Sequence, residues 1–149
     1  TTFEMLKRAD SIAVIAIDNN DQIVTIDEEQ PNGLKRIAGL PVGSSESYDL
    51  SILDAAKREF VEETGLIFRN WRLLAVRQPE IKIEFFVNIY VATDLIDEIP
   101  QNLDPGEKIT VTRTDYETLK RDNPYQRNNL ARFDTVQDLR QFVEEDPEH

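Results

Sequence analysis

The chain has 149 residues, 40% hydrophobic and 31% charged, a net charge of −12, no cysteine, and a single histidine that is the last residue, His149. This predicts a globular chain with a real core, one domain over residues 1–149, and it excludes disulfides, thiolate metal sites, cysteine nucleophiles and schemes built on an internal histidine. The acidic balance, with no basic stripe, argues against a nucleic-acid partner. The absence of a long apolar run or a signal-like start argues against a membrane partner, so a cytoplasmic protein is expected.

SIAVIAI (11–17) is short, apolar and β-branched and predicts a buried strand. The turn cluster Asp18-Asn19-Asn20-Asp21 joins it to a second strand, QIVTI (22–26), in a hairpin. An EF-hand loop starting at Asp18 is the rival, and it fails because Gln22 and Ile23 stand where a ligand and the turn glycine belong. IAGLPVG (37–43) predicts a strand running into a Pro/Gly turn, and 44–50 a polar loop. Asp49 or Ser51 then caps a helix that runs to Thr64 and stops at Gly65. WRLLAVR (71–77) is the next strand. KIEFFVNIYVAT (82–93) is a long one, with Ile83, Phe85, Val87, Ile89 and Val91 on one face. An acidic loop is expected over 94–108, a strand over 108–114 and a helical turn over 115–121. A capped helix from Asp134 should bury Val136, Leu139, Phe142 and Val143. Strands interleaved with helices predict an α/β fold with a mixed sheet.

KREFVEETGL (57–66) carries the chemistry. Glu59 is a helical neighbour of both Glu62 and Glu63, and the three carboxylates fall within an arc of about 100°. Leu53, Ala56 and Phe60 form the adjoining apolar stripe, and the small Ala55 leaves room on the acidic side. Like charges at this spacing repel by a few tenths of a kcal/mol per pair. The C-terminal end of a helix opposes each exposed carboxylate by about 0.3–1 kcal/mol more. A solvated acidic face explains the charge but not its place at the unfavourable end beside a core-facing stripe. A hard divalent cation explains both, and such an ion is commonly shared with a substrate phosphate. It would also reverse the field that an anionic substrate meets on a chain this acidic.

Arg58-Glu59-Phe60-Val61-Glu62-Glu63-Thr64-Gly65-Leu66 resembles the second half of the Nudix box, R-E-U-x-E-E-x-G-U, at every specified position. Leu40-Pro41-Val42-Gly43 is similar to the strand-to-loop entry of the same box, and Glu46 fits an acidic position of its loop. Asp49 stands where the box has glutamate, with eight residues rather than seven before Arg58, as a one-residue insertion would give. Strand 82–93, the acidic loop and Glu107-Lys108-Ile109-Thr110-Val111 are similar to the ADP-ribose pyrophosphatase branch. The resemblance implies a Nudix-like α/β/α sandwich and a hydrolase of nucleoside diphosphates linked to another moiety, ADP-ribose or a nucleotide sugar above all. It implies that Glu59, Glu62, Glu63 and the main-chain carbonyl of Val42 hold Mg²⁺, with Mn²⁺ as the alternative. It further implies that Arg58 orients the glutamates, that Gly43 lets the loop pass close to the metal site, and that a carboxylate assists the attacking water: Glu59, or one of Asp97, Glu98, Asp104 and Glu107 in the loop, of which Glu107 is chosen for its place at a loop-to-strand junction. Relatives in this branch often form homodimers through an N-terminal region, and few residues precede the first strand here.

Arg36 and Arg77, at strand ends, are candidates to hold substrate phosphates; Phe3, Trp71 and Tyr125 are aromatic candidates for a base, without an assigned pocket. Two other functions remain open. A nucleoside triphosphate pyrophosphatase would use the same helix with another pocket, and a non-catalytic binding module would keep only the fold. The length of the 94–108 loop, suited to a lid over a two-part substrate, favours the diphosphate hydrolase.

Overall fold

The computed structural model describes residues 10–78 and 86–149 in full and the backbone alone of 6–7 and 83–84. Its elements are β1 (Leu6–Lys7), β2 (Ser11–Ala16), β3 (Ile23–Glu29), β4 (Lys35–Gly39), β5 (Val42–Ser44), α1 (Ile52–Thr64), β6 (Leu66–Arg77), β7 (Ile83–Glu84), β8 (Val87–Glu98), β9 (Lys108–Thr114), α2 (Tyr116–Asp122), α3 (Pro124–Asn129) and α4 (Val136–Glu145).

The central sheet runs β5-β2-β8-β6. It is mixed: β2 pairs β8 in parallel, while β5 and β6 run antiparallel to their neighbours. A second, antiparallel sheet runs β4-β3-β9, and β1 and β7 form a short parallel pair. Because side chains alternate across a strand, β2 feeds two cores. Ile12, Val14 and Ala16 pack with Phe60 and the buried face of α1, whereas Ala13 and Ile15 pack with Tyr116, Leu119, Leu139 and Val143 of the later helices. Helix, sheet and helix therefore form three layers, the expected α/β/α arrangement.

Several boundaries differ from the sequence reading. Residues 37–43 do not form one strand. Pro41 divides them between β4 and β5, which belong to different sheets. β6 begins at Leu66 instead of Trp71, β8 continues to Glu98, and the two pair from Leu66↔Glu98 to Arg77↔Val87. The expected acidic loop thus shrinks to 99–107. Val87, Ile89 and Val91 do share a core-facing side, while the side chains of Ile83 and Phe85 lie outside the described residues. Thr135, not Asp134, caps α4, and Asp138 reciprocates in a capping box. Trp71 is core: 1% exposed and edge-on to Phe60 and Tyr90 at 5.8 and 6.4 Å. Phe3 lies outside the described residues. Among the described residues no helix is long and apolar enough to cross a membrane.

Candidate active site

Helix α1 places the acidic group. Ser51 caps its start by accepting from Asp54 N, and Gly65 ends it in the left-handed region at φ 72°. A Cβ at Gly65 would sit 2.0 Å from the Ile99 carbonyl oxygen, so only glycine fits both the conformation and the space. The last carbonyls of the helix, which have no partner within it, are met by the 99–107 loop. Asn102 N donates to Glu62 O (2.8 Å), Gln101 Nε2 to Glu63 O (2.6 Å), and Ile99 N to Gly65 O (2.7 Å).

The three glutamates differ. Glu63 Oε2 is buried without a hydrogen-bond partner. Burial pushes the Glu63 carboxyl up to about 8; the charges of Glu59, Glu28 and Glu107 push the same way, and Arg36 opposes them. Glu59 is also raised, first by burial, with the hydrogen bond from Arg58 pulling it back. Its side chain lies against the backbone of Gly43, where a Cβ would come within 2.6 Å of Glu59 Cγ. Arg58 Nη1 donates to Glu59 Oε1 (3.1 Å) and to Glu62 Oε2 (3.4 Å).

Asp49 resolves the mismatch in the box. It does not cap the helix; its two carboxylate oxygens accept from Arg58 Nε and Nη2, each at 2.8 Å, and the Arg58 hydrogen bonds hold Asp49 below the usual carboxylate range. Tyr48 covers the same guanidinium at 5.1 Å.

Val42 and Gly43 line a narrow crevice with Glu59 and Glu63, which puts the β5 backbone beside the carboxylates. Glu107 lies within electrostatic reach of Glu63 and accepts from Asp104 N at 2.9 Å. Glu28 on β3 was not anticipated. It reaches this group because it pairs in register with Arg36 of β4, a juxtaposition no local pattern announces. Among the described residues no three His, Asp or Glu side chains converge as a ready ligand set, since Arg58 bridges Glu59 and Glu62. The donors nevertheless suit a hard cation: they are all oxygen, one is buried and unpartnered, and a glycine keeps the approach open.

On the other side of the Leu40–Gly43 connector lies a cleft of about 750 Å³. Arg36 and Arg77 both line it, together with Val42, and among the described residues no carboxylate does. Arg36 Nη2 donates to Leu40 O at 2.8 Å. Arg77 Nε and Nη2 donate to Asn129 Oδ1 at 3.0 and 2.6 Å, and Asn129 donates to Gln126 Oε1 at 3.2 Å. Two candidate arginines, distant in sequence, thus meet in one cleft of a chain whose net charge is −12.

The layered fold, the glutamate-bearing helix and the glycine-lined crevice define one class of protein. The sequence matches the NUDIX domain over residues 7–133, and the chain belongs to that family, the Nudix hydrolases, which generally depend on a divalent metal. No curated protein matches it. Among solved structures it is similar to an ADP compounds hydrolase, with a TM-score of 0.66, 19% identity, and 93% of this chain and 75% of that one covered. It is also similar to a MutT structure described for Aliivibrio salmonicida and Vibrio cholerae, with a TM-score of 0.55, 16% identity and coverage of 85% and 99%. A mutator MutT protein from Bacillus halodurans follows, with a TM-score of 0.54, 22% identity and coverage of 76% and 72%. At these identities the likeness is one of fold.

Proposed function

We propose that the chain hydrolyses the diphosphate of a nucleoside diphosphate linked to another moiety, ADP-ribose or a nucleotide sugar, with Mg²⁺ as the resident ion and Mn²⁺ as its substitute. The buried, unpartnered oxygen of Glu63 at the end of α1 carries this reading: a carboxylate so placed is unfavourable unless a cation completes it. Glu59, Glu62, Glu63 and the Val42 carbonyl hold the ion. The ion supplies charge neutralisation of the diphosphate and activation of water. Arg58, gripped by Asp49, aligns Glu59 and Glu62. Arg36, which both lines the cleft and acts on Glu63, binds the diphosphate where cleft and carboxylates meet; Arg77 binds anionic oxygens further in. Glu107 takes the proton of the attacking water.

The ADP compounds hydrolase fold supports a two-part substrate. A triphosphate substrate is the second reading, supported by the shortened 99–107 loop and the two MutT structures. Product analysis separates them. ADP-ribose should yield AMP and ribose 5-phosphate, with turnover abolished by a chelator, whereas a nucleoside triphosphate converted to a monophosphate and pyrophosphate would establish the second. No cleavage of any nucleotide with Mg²⁺ or Mn²⁺ would remove both.

A further inference from the structure

The cleft extends well beyond what a diphosphate occupies, and its far wall has no part in the chemistry above. Its volume of about 750 Å³ is in the range of small-molecule sites. The floor is apolar: Ala13 comes from β2, and Val87 and Ile89 from β8. The facing wall is α3, which presents Tyr125 and Asn128. Tyr125 is 84% exposed, the most exposed aromatic side chain among the described residues, and the Asn128 amide makes no hydrogen bond among them.

A single exposed aromatic residue is ordinary. What needs an account is its setting. The Tyr125 ring stands at an apolar-floored cleft, on a helix fixed at both ends. Asn123 closes α2 by donating to Leu119 O and opens α3 by accepting from Gln126 N, and Pro124 sets the first helical turn. At the far end Leu130 is fully buried and donates to Gln126 O, while Tyr116 Oη donates to Phe133 O at 2.6 Å behind it. Little conformational entropy remains to be lost when a ligand meets this wall. A π-face, an apolar floor and a free amide at the edge together suit a planar heteroaromatic base, which fills the first two with its whole face and the third with its edge; a phosphate has no use for the first two.

We propose that Tyr125 and Asn128 form the base-recognition wall of this enzyme. Tyr125 stacks on the base of the nucleotide half of the substrate, Asn128 bonds its edge, and the non-nucleotide half lies outside the cleft. The inference rests on the reading of the α1 end as the diphosphate site, because that fixes which end of the substrate enters.

The test compares AMP with ribose 5-phosphate, each titrated calorimetrically into the metal-free protein at low ionic strength. AMP should bind at least about tenfold more tightly, the contribution expected of one stacked base. Tyr125→Ala should bring the two to near parity, and Tyr125→Phe, which keeps the ring, should retain the preference. Tyr125→Trp should show emission quenched by AMP and not by ribose 5-phosphate, against the buried Trp71 as background. Equal binding of the two ligands by the unsubstituted protein, or an undiminished preference in Tyr125→Ala, would overturn the proposal. An AMP preference lost in Tyr125→Ala, alongside no hydrolysis of any nucleotide, would sink the proposed reaction and sustain the base site. Hydrolysis without base preference would do the reverse.

Discussion

Glu63 sets a conflict between stability and function within one side chain. Its buried oxygen has no partner and its carboxyl is pushed up to about 8, so the metal-free protein keeps a proton there that ion binding must expel. Glu63→Gln removes the charge at nearly constant volume. It should raise the melting temperature of the chelated protein near neutral pH, abolish further stabilisation by Mg²⁺, and lower turnover by about a hundredfold or more; unfolding curves with and without Mg²⁺ beside a rate assay check all three. Gly43 limits the same site from the other side. Gly43→Ala meets no backbone strain but would push Glu59 aside from a contact of 2.6 Å, so turnover should fall by about tenfold or more while the denaturation midpoint moves little. Much of this was legible, because the box residues are contiguous on one helix and helical spacing alone gathers them. Asp49 was not, because its place depends on where a loop folds back; only the finished fold shows that it grips Arg58.

The elements were read best where local patterns decide and worst where partners do. LIFRN (66–70) and DLIDE (94–98) each lack a convincing strand pattern alone, yet each becomes strand by pairing with the other. Both errors have this one cause. Residues 37–43 failed differently: the chain leaves one sheet at Gly39 and enters another at Val42, and Pro41, whose carbonyl accepts from Val14 N, marks the crossing. Helix α3 did have a signal in Asn123-Pro124, a capping residue followed by proline. The junction of α1 with β6 gives the sharpest prediction at this scale. Gly65→Ala combines a positive φ with a 2.0 Å clash against backbone and should lose at least about 1–3 kcal/mol, read as a lower urea midpoint at constant slope.

For the molecule as a whole, charge is distributed by function. Twenty-nine acidic residues against seventeen basic ones give −12, yet the cleft of about 750 Å³ carries arginines and no acid among its described lining. The pH response of the metal-free protein follows from Glu63. Its folded pKa, about 8, lies above the ordinary carboxylate value near 4.3, so its contribution to stability is complete below that value and is lost as pH rises toward 8. Asp18 and Asp49 are lowered, Asp18 by hydrogen bonds from Gln22 and Asn20 and by Arg113 against the opposing effect of burial, Asp49 by Arg58, and their contributions are lost instead as pH falls through the acid range. Thermal unfolding in chelator should therefore show declining stability between about pH 5 and 8, and Mg²⁺ should offset the decline most at the alkaline end. A flat profile would mean that Glu63 ionises without difficulty. The α/β class and the mixed sheet followed from the order of strands and helices, and the three layers from the family resemblance; the cleft could not be read, because its walls come from five separated stretches of chain that only the finished fold unites.

The loop over 99–107 gives its Ile99, Gln101 and Asn102 donors to the last carbonyls of α1 and to Gly65. Swinging it over a substrate would break these three hydrogen bonds and leave the last carbonyls of the helix that carries Glu62 and Glu63 to water. Any opening at this edge therefore loosens the end of the acidic helix along with the loop, and exchange of the Asn102 amide would be its clock.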